Sequence, residues 1–145
     1  MNADPDTRTG HGWPWWLFRV TLCVQALDSL AQAVLAGRFL SGDFAMLAAH
    51  EVNGTRGVVI VAFVQIAVAV VAWRRSGASG WLVVAVVLVF LATVGQIVLG
   101  FSRVLGLHVP LGVSIIATAG WLAVWVCTHH ATDRPFARRD RGVRS

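Results

Sequence analysis

Two histidines in this chain stand at the head of long apolar runs, each followed four residues later by glycine: His50-Glu-Val-Asn-Gly54 and His108-Val-Pro-Leu-Gly112. Residues four apart share a helix face, so each run presents an imidazole above a position with no side chain. His50, Gly54, Gly57 and Val61 would form one stripe, and His108, Gly112, Ile115 and Ala119 the other. Turned together, two such faces leave a flat slot with a nitrogen ligand on either side. That shape suits a haem plane. It equally suits two interfacial histidines beside helix-packing glycines, and the local pattern alone does not choose between them.

Composition decides what must hold these residues. The chain has 145 residues, 57% hydrophobic and only 13% charged, with a mean hydropathy of +0.69. A soluble domain of this length cannot bury so much apolar surface, so the surplus must face lipid. The formal charge of +5 comes from twelve arginines, with no lysine, against seven acids. The arginines lie between and beyond the apolar runs and read as membrane topology signals. No basic stripe with interleaved aromatics appears, so nucleic acid is not expected as a partner. Cys23 and Cys127 lie far apart in sequence, inside apolar runs. They read as small buried hydrophobes and give no disulfide framework.

The runs divide the chain into an all-α integral membrane protein, a bundle of four transmembrane helices. Residues 1–12 are expected to be a disordered tail. The transmembrane domain covers 13–130, with spans at about 15–36, 50–73, 81–101 and 108–127, each near the ~20 residues a bilayer requires. Residues 131–145 form a basic tail. Loops are expected at 37–49 and 102–107, and a short basic turn over 74–80. A signal peptide competes for the first span, since Ala31-Gln-Ala33 imitates a cleavage site; Asp28, Gln25 and Gln32 inside the run oppose it. Pro110 falls in the first turn of the fourth span, where a missing N–H is tolerated.

The first span is the most polar. Thr21, Gln25, Asp28 and Gln32 follow spacings of four, three and four and line one face. An intramembrane acid is expensive and usually paired, and Arg56 lies at a similar depth, so an Asp28–Arg56 ion pair is expected. The sharper alternatives are a proton relay through Asp28 and an acid-binding role for Arg56. The glutamines read as interhelical hydrogen-bond formers, or as parts of a quinone site.

The chain also resembles itself. Gln32-Ala-Val-Leu-Ala36 precedes His50, and Gln96-Ile-Val-Leu-Gly100 precedes His108. The four spans therefore read as two pseudo-repeated helical hairpins entering from the same membrane side, a parallel repeat. Two histidines brought to equal depth by such symmetry favour a shared object between them. Arginine placement (Arg8 and Arg19, Arg74 and Arg75, then five in the tail) puts both termini in the cytoplasm by the positive-inside rule. The histidines then lie at the outer face of the cytoplasmic membrane in a multi-pass protein, and the tryptophans toward the inner.

The string Gln96-Ile-Val-Leu-Gly100 followed by Leu107-His108 is similar to one four-helix half of the haem A synthase family. The chain from about Val20 to Val126 also resembles small four-span bacterial membrane proteins with His-x-x-x-Gly on the second helix and Leu-His opening the fourth. The resemblance implies His50 and His108 as axial ligands of a haem b, with Gly54 and Gly112 beside the porphyrin. Arg56 and Arg103, on the same side, are candidates for its propionates. The chain is a single half, without a matching catalytic carboxylate motif, so haem A synthesis by it alone is not implied. The expected function is electron transfer or redox sensing, with a quinone or a membrane redox partner. The competing class is a haem-free four-helix scaffold or an accessory subunit, as a homo- or hetero-oligomer.

Overall fold

The computed structural model describes residues 12–129. The expectations for the N-terminal tail and the basic tail, including the tail arginines, lie outside the described residues. Five α-helices follow in order: α1 (Trp13–Leu40), α2 (Ala45–Val52), α3 (Val58–Arg75), α4 (Gly80–Phe101) and α5 (Leu105–Thr128). A single π-helical turn, Asn53–Gly57, joins α2 to α3 into one long rod. No strand occurs among the described residues. Four rods are long and apolar enough to cross a membrane: Trp13–Leu40, Ala45–Arg75, Gly80–Phe101 and Leu105–Thr128.

A repeating seam of inward residues holds the rods together. It runs Phe18, Leu22, Gln25 and Ser29 on α1, and Val58, Ala62, Gln65, Ala69 and Ala72 on α3. On α4 it is Leu82, Val86, Val89 and Thr93, and on α5 Ile115, Ala119, Leu122 and Val126. Spacings of four and three keep one stripe of each helix facing the axis. Small residues dominate on α3 and let backbones approach closely, as packing between helices in lipid demands. The opposite faces carry exposed Leu27, Leu30, Ile60, Phe63, Val84, Leu88, Val113 and Val124, an apolar exterior suited to hydrocarbon. α1 and α4 each pack against both α3 and α5. The two helices leading into the histidine rods thus stand on one diagonal of the bundle, and the histidine rods on the other.

The rods are longer than hydropathy suggested. The expected loop at 37–49 shrinks to four residues, because α1 runs on to Leu40 and α2 begins at Ala45. The link over 102–107 shrinks similarly, with α5 starting at Leu105. Both first helices end in the same device. Asp43 N–H bonds the Arg38 carbonyl at 3.1 Å around Gly42 at φ +102°, and Val104 N–H bonds the Leu99 carbonyl at 3.0 Å around Arg103 at φ +56°. This is the Schellman closure, whose left-handed position normally takes glycine. Pro110 falls in the second turn of α5, not the first, so it removes the hydrogen bond an amide there would give to Gly106.

Candidate functional site

The two histidines meet at one end of the bundle. The ring centres of His50 and His108 lie 6.4 Å apart, with planes inclined by 66°. Each ring is held by the first helix of its own hairpin. His50 Nδ1 lies 3.1 Å from the carbonyl oxygen of Gln32, and His108 Nδ1 lies 3.0 Å from that of Gln96. A carbonyl accepts and never donates, so this contact favours Nδ1–H and leaves Nε2 with a free lone pair. The same glutamines cover the glycines. A side chain at Gly54 would meet the Gln32 side-chain amide at 3.3 Å, and one at Gly112 would meet that of Gln96 at 2.8 Å. Gly100 makes room for the second ring, since a Cβ there would come within 3.0 Å of His108 Cε1.

His50 has one further neighbour that His108 lacks. The Gln32 amide satisfies its surroundings with its nitrogen toward the His50 carbonyl oxygen, 3.1 Å away, and its oxygen toward Gly54 N–H at 2.9 Å and Asn53 Nδ2 at 2.6 Å. That orientation also puts Gln32 Nε2 2.9 Å from His50 Nδ1. The backbone carbonyl asks for a proton on Nδ1, and the amide asks for a bare nitrogen. Beyond Gln32 the network continues, because Asn53 Nδ2 donates to Asp28 Oδ1 at 2.7 Å. Asp28, Asn53, Gln32 and His50 form one hydrogen-bonded chain.

The expected Asp28–Arg56 pair is not made. Arg56 is exposed, Asp28 is taken by Asn53, and the one ion pair among the described residues is Arg38–Asp43 at 2.6 Å. Six residues past His50, Arg56 falls off the inward stripe even at regular α-helical phase, and a π-helical turn then re-phases the rod. The turn's extra residue rotates everything after Asn53 around the axis. The inward stripe therefore continues through Val58, Ala62 and Gln65, with Val61 only half-buried. Gly57 sits where a Cβ would collide with Asn53 Oδ1 and lie 3.6 Å from Asp28 Oδ2. Arg103 is likewise exposed, at the histidine end, in the loop just before α5. On the second stripe, Ile115 and Ala119 are buried and Gly112 half-buried, in the phase the spacing required.

Below this cluster the bundle axis stays polar for several turns. Gln25 and Gln65 are buried, Thr93 bonds its own Val89 carbonyl at 2.9 Å, and Gln25 Nε2 reaches Ser29 Oγ at 3.5 Å. The oxygens Gln25 Oε1 and Gln96 Oε1 have no partner among the described residues. At the far end lie the tryptophans, with Trp81 packed on Trp121 and Trp125, and Trp125 stacked on His129. There the sulfurs of Cys23 and Cys127 stand 3.9 Å apart. Their separation in sequence gave no hint of this meeting. Among the described residues no group of three or more His, Cys, Asp or Glu side chains could surround a metal ion. Compared with family models, curated proteins and solved structures, the chain matches none.

Proposed function

We propose that the protein is a four-span b-type haem protein of the cytoplasmic membrane, in which His50 and His108 ligate one iron and electrons pass singly to a membrane partner such as a quinone. The observation that carries this reading is the 6.4 Å between ring centres. At that spacing a nitrogen from each imidazole would be within reach of one metal ion held between the two rings. Porphyrin supplies the other four donors, so two histidines suffice where no third protein ligand stands nearby. The carbonyl contacts at both Nδ1 atoms supply the outer support that ligating histidines ordinarily have, fixing tautomer and ring orientation. Haem in such a site provides one-electron iron chemistry whose potential follows ligation and burial.

Around it the chain's own residues hold, orient and exclude. Gln32 and Gln96 fix the rings, the closely packed buried seam below limits access of water, and Arg103 offers a cation to an acidic group at the histidine end. Its φ of +56° supports that role: a non-glycine residue kept in the left-handed region costs on the order of 1 kcal/mol and is retained where the side chain is wanted. Arg56, though exposed, stands at the same end and is the second candidate. We read the two hairpins as a parallel pseudo-repeat, which the shared glutamine-to-histidine contact and the shared Schellman closure support. Arginine placement supports cytoplasmic termini and a histidine site toward the outer face.

A haem-free accessory subunit is the competing reading, favoured by the Gln32 amide, which would claim His50 Nδ1 and put the proton on Nε2. For iron to bind, that amide must yield the ring while keeping its bonds to Gly54 and Asn53. Titrating haem into the purified full chain separates the two. One haem per chain with a six-coordinate low-spin spectrum is expected, and protein that stays colourless sinks the haem reading.

A further inference from the structure

Cys23 on α1 and Cys127 in the last turn of α5 are 104 residues apart in sequence, yet their sulfurs lie 3.9 Å apart. A disulfide needs about 2.05 Å between sulfurs. The sulfurs already stand in contact, so closing the bond asks each to move by on the order of 1 Å. The helices are already fastened at this level, because Arg19 Nε, one turn before Cys23, donates to the carbonyl of Val126, next to Cys127, at 3.0 Å. The two thiols also differ in access. Cys127 is exposed on the outer surface of the bundle, and Cys23 is half-buried behind it. No third His, Cys, Asp or Glu joins them among the described residues to make a metal site.

We propose that Cys23 and Cys127 are a dithiol that closes reversibly to an inter-helix disulfide, with a lipid-dissolved quinone as oxidant. Two S–H bonds break and one S–S bond forms. Two electrons and two protons pass to the quinone, which leaves as quinol. The oxidant class follows from where the accessible sulfur lies. Cys127 is exposed in the last turn of a helix long and apolar enough to cross a membrane, and quinones are two-electron, two-proton acceptors that dissolve in the bilayer such a helix borders. The resulting bond would tie the helix that carries Gln32 to the helix that carries His108. The inference does not depend on haem.

The test uses the reduced full chain in phospholipid nanodiscs, treated with a short-chain ubiquinone analogue and, in parallel, with diamide. Maleimide mass-tagging counts free thiols, absorbance follows quinol, and non-reducing gels report cross-linked chains. With either oxidant both thiols should disappear together within a monomeric chain, and the quinone arm should yield one quinol per chain. Cys23→Ser and Cys127→Ser should each keep one taggable thiol and yield no quinol. Thiols that stay free under quinone, a quinone adduct, or a disulfide-linked dimer would each overturn the proposal.

Discussion

The two hairpins place their histidines alike and surround them differently. In each, the first helix ends in a Schellman turn, a glutamine backbone carbonyl lies 3.1 or 3.0 Å from the ring Nδ1, and a glycine four residues beyond the histidine lies under that glutamine's side chain. Counted from Gln32 and His50, the first hairpin then adds Asp28 and Asn53, bonded at 2.7 Å. At the matching distances from Gln96 and His108, the second has Ala92 and Leu111, both packed against the apolar core. The shared part is what orients the rings. The differing part gives His50 a polar chain that reaches a carboxylate, and leaves His108 with its carbonyl alone. Positioning two ligands requires little sequence; making them inequivalent requires one acid, one amide and a π-helical turn.

The comparison breaks most visibly at Asn53. Asn53→Leu removes the donor to Asp28 and should destabilise by about 1–3 kcal/mol, the range for leaving a buried hydrogen-bonding partner unsatisfied. Adding Asp28→Ala copies the second hairpin's residues into the first and should recover most of that loss, since removing both partners of a polar pair is often near neutral. Thermal unfolding in detergent across the double-mutant cycle measures the coupling. Strictly additive losses would show that the two residues do not form a unit.

A smaller effect, of opposite sign, is expected at the Schellman turns. Gly42 adopts its left-handed conformation freely, whereas Arg103 adopts it under strain. Arg103→Gly should therefore stabilise the fold by roughly 0.5–1 kcal/mol. It should also weaken haem retention, measured as faster transfer of haem to an apoprotein acceptor. Gain of stability with unchanged retention would remove Arg103 from the site.

The subtlest difference is a proton. Nitrogen-15 NMR of the haem-free protein should show His108 as a single Nδ1–H tautomer. His50, caught between the Gln32 carbonyl and the Gln32 amide, should be shifted toward Nε2–H and should move toward Nδ1–H in Gln32→Leu. Identical tautomers at the two rings would erase the distinction drawn between the hairpins.

Much of this was legible in the sequence, because hydropathy and spacing are local. The four spans, the inward stripe on α5 and the placing of both histidines at one end follow from runs and periods. What was missed depends on contacts or on a change of helical phase. Nothing local announces that Asn53–Gly57 winds as a π turn, and depth alone pairs Asp28 with Arg56, so Asn53 is overlooked as the partner of Asp28. The segment 37–49 contains Gly42 and Asp43 and reads as a loop, but apolar Ala45, Met46 and Leu47 let the helix restart at once. Gln32 and Gln96 were visible as a repeated motif, yet their backbone carbonyls, not their side chains, are what both rings share. The Cys23–Cys127 meeting is purely tertiary, since only the packing of α1 on α5 brings residues so distant in sequence together.

Whether His50 and His108 hold the same iron is decided by the single-histidine variants. Wild-type protein loaded with haem should be six-coordinate and low-spin by absorption and electron paramagnetic resonance. His50→Ala and His108→Ala should each lose the haem or turn five-coordinate and high-spin. Adding imidazole to either variant should restore six-coordination by filling the vacated side. If one variant keeps the wild-type low-spin spectrum without added imidazole, the two histidines do not share an iron.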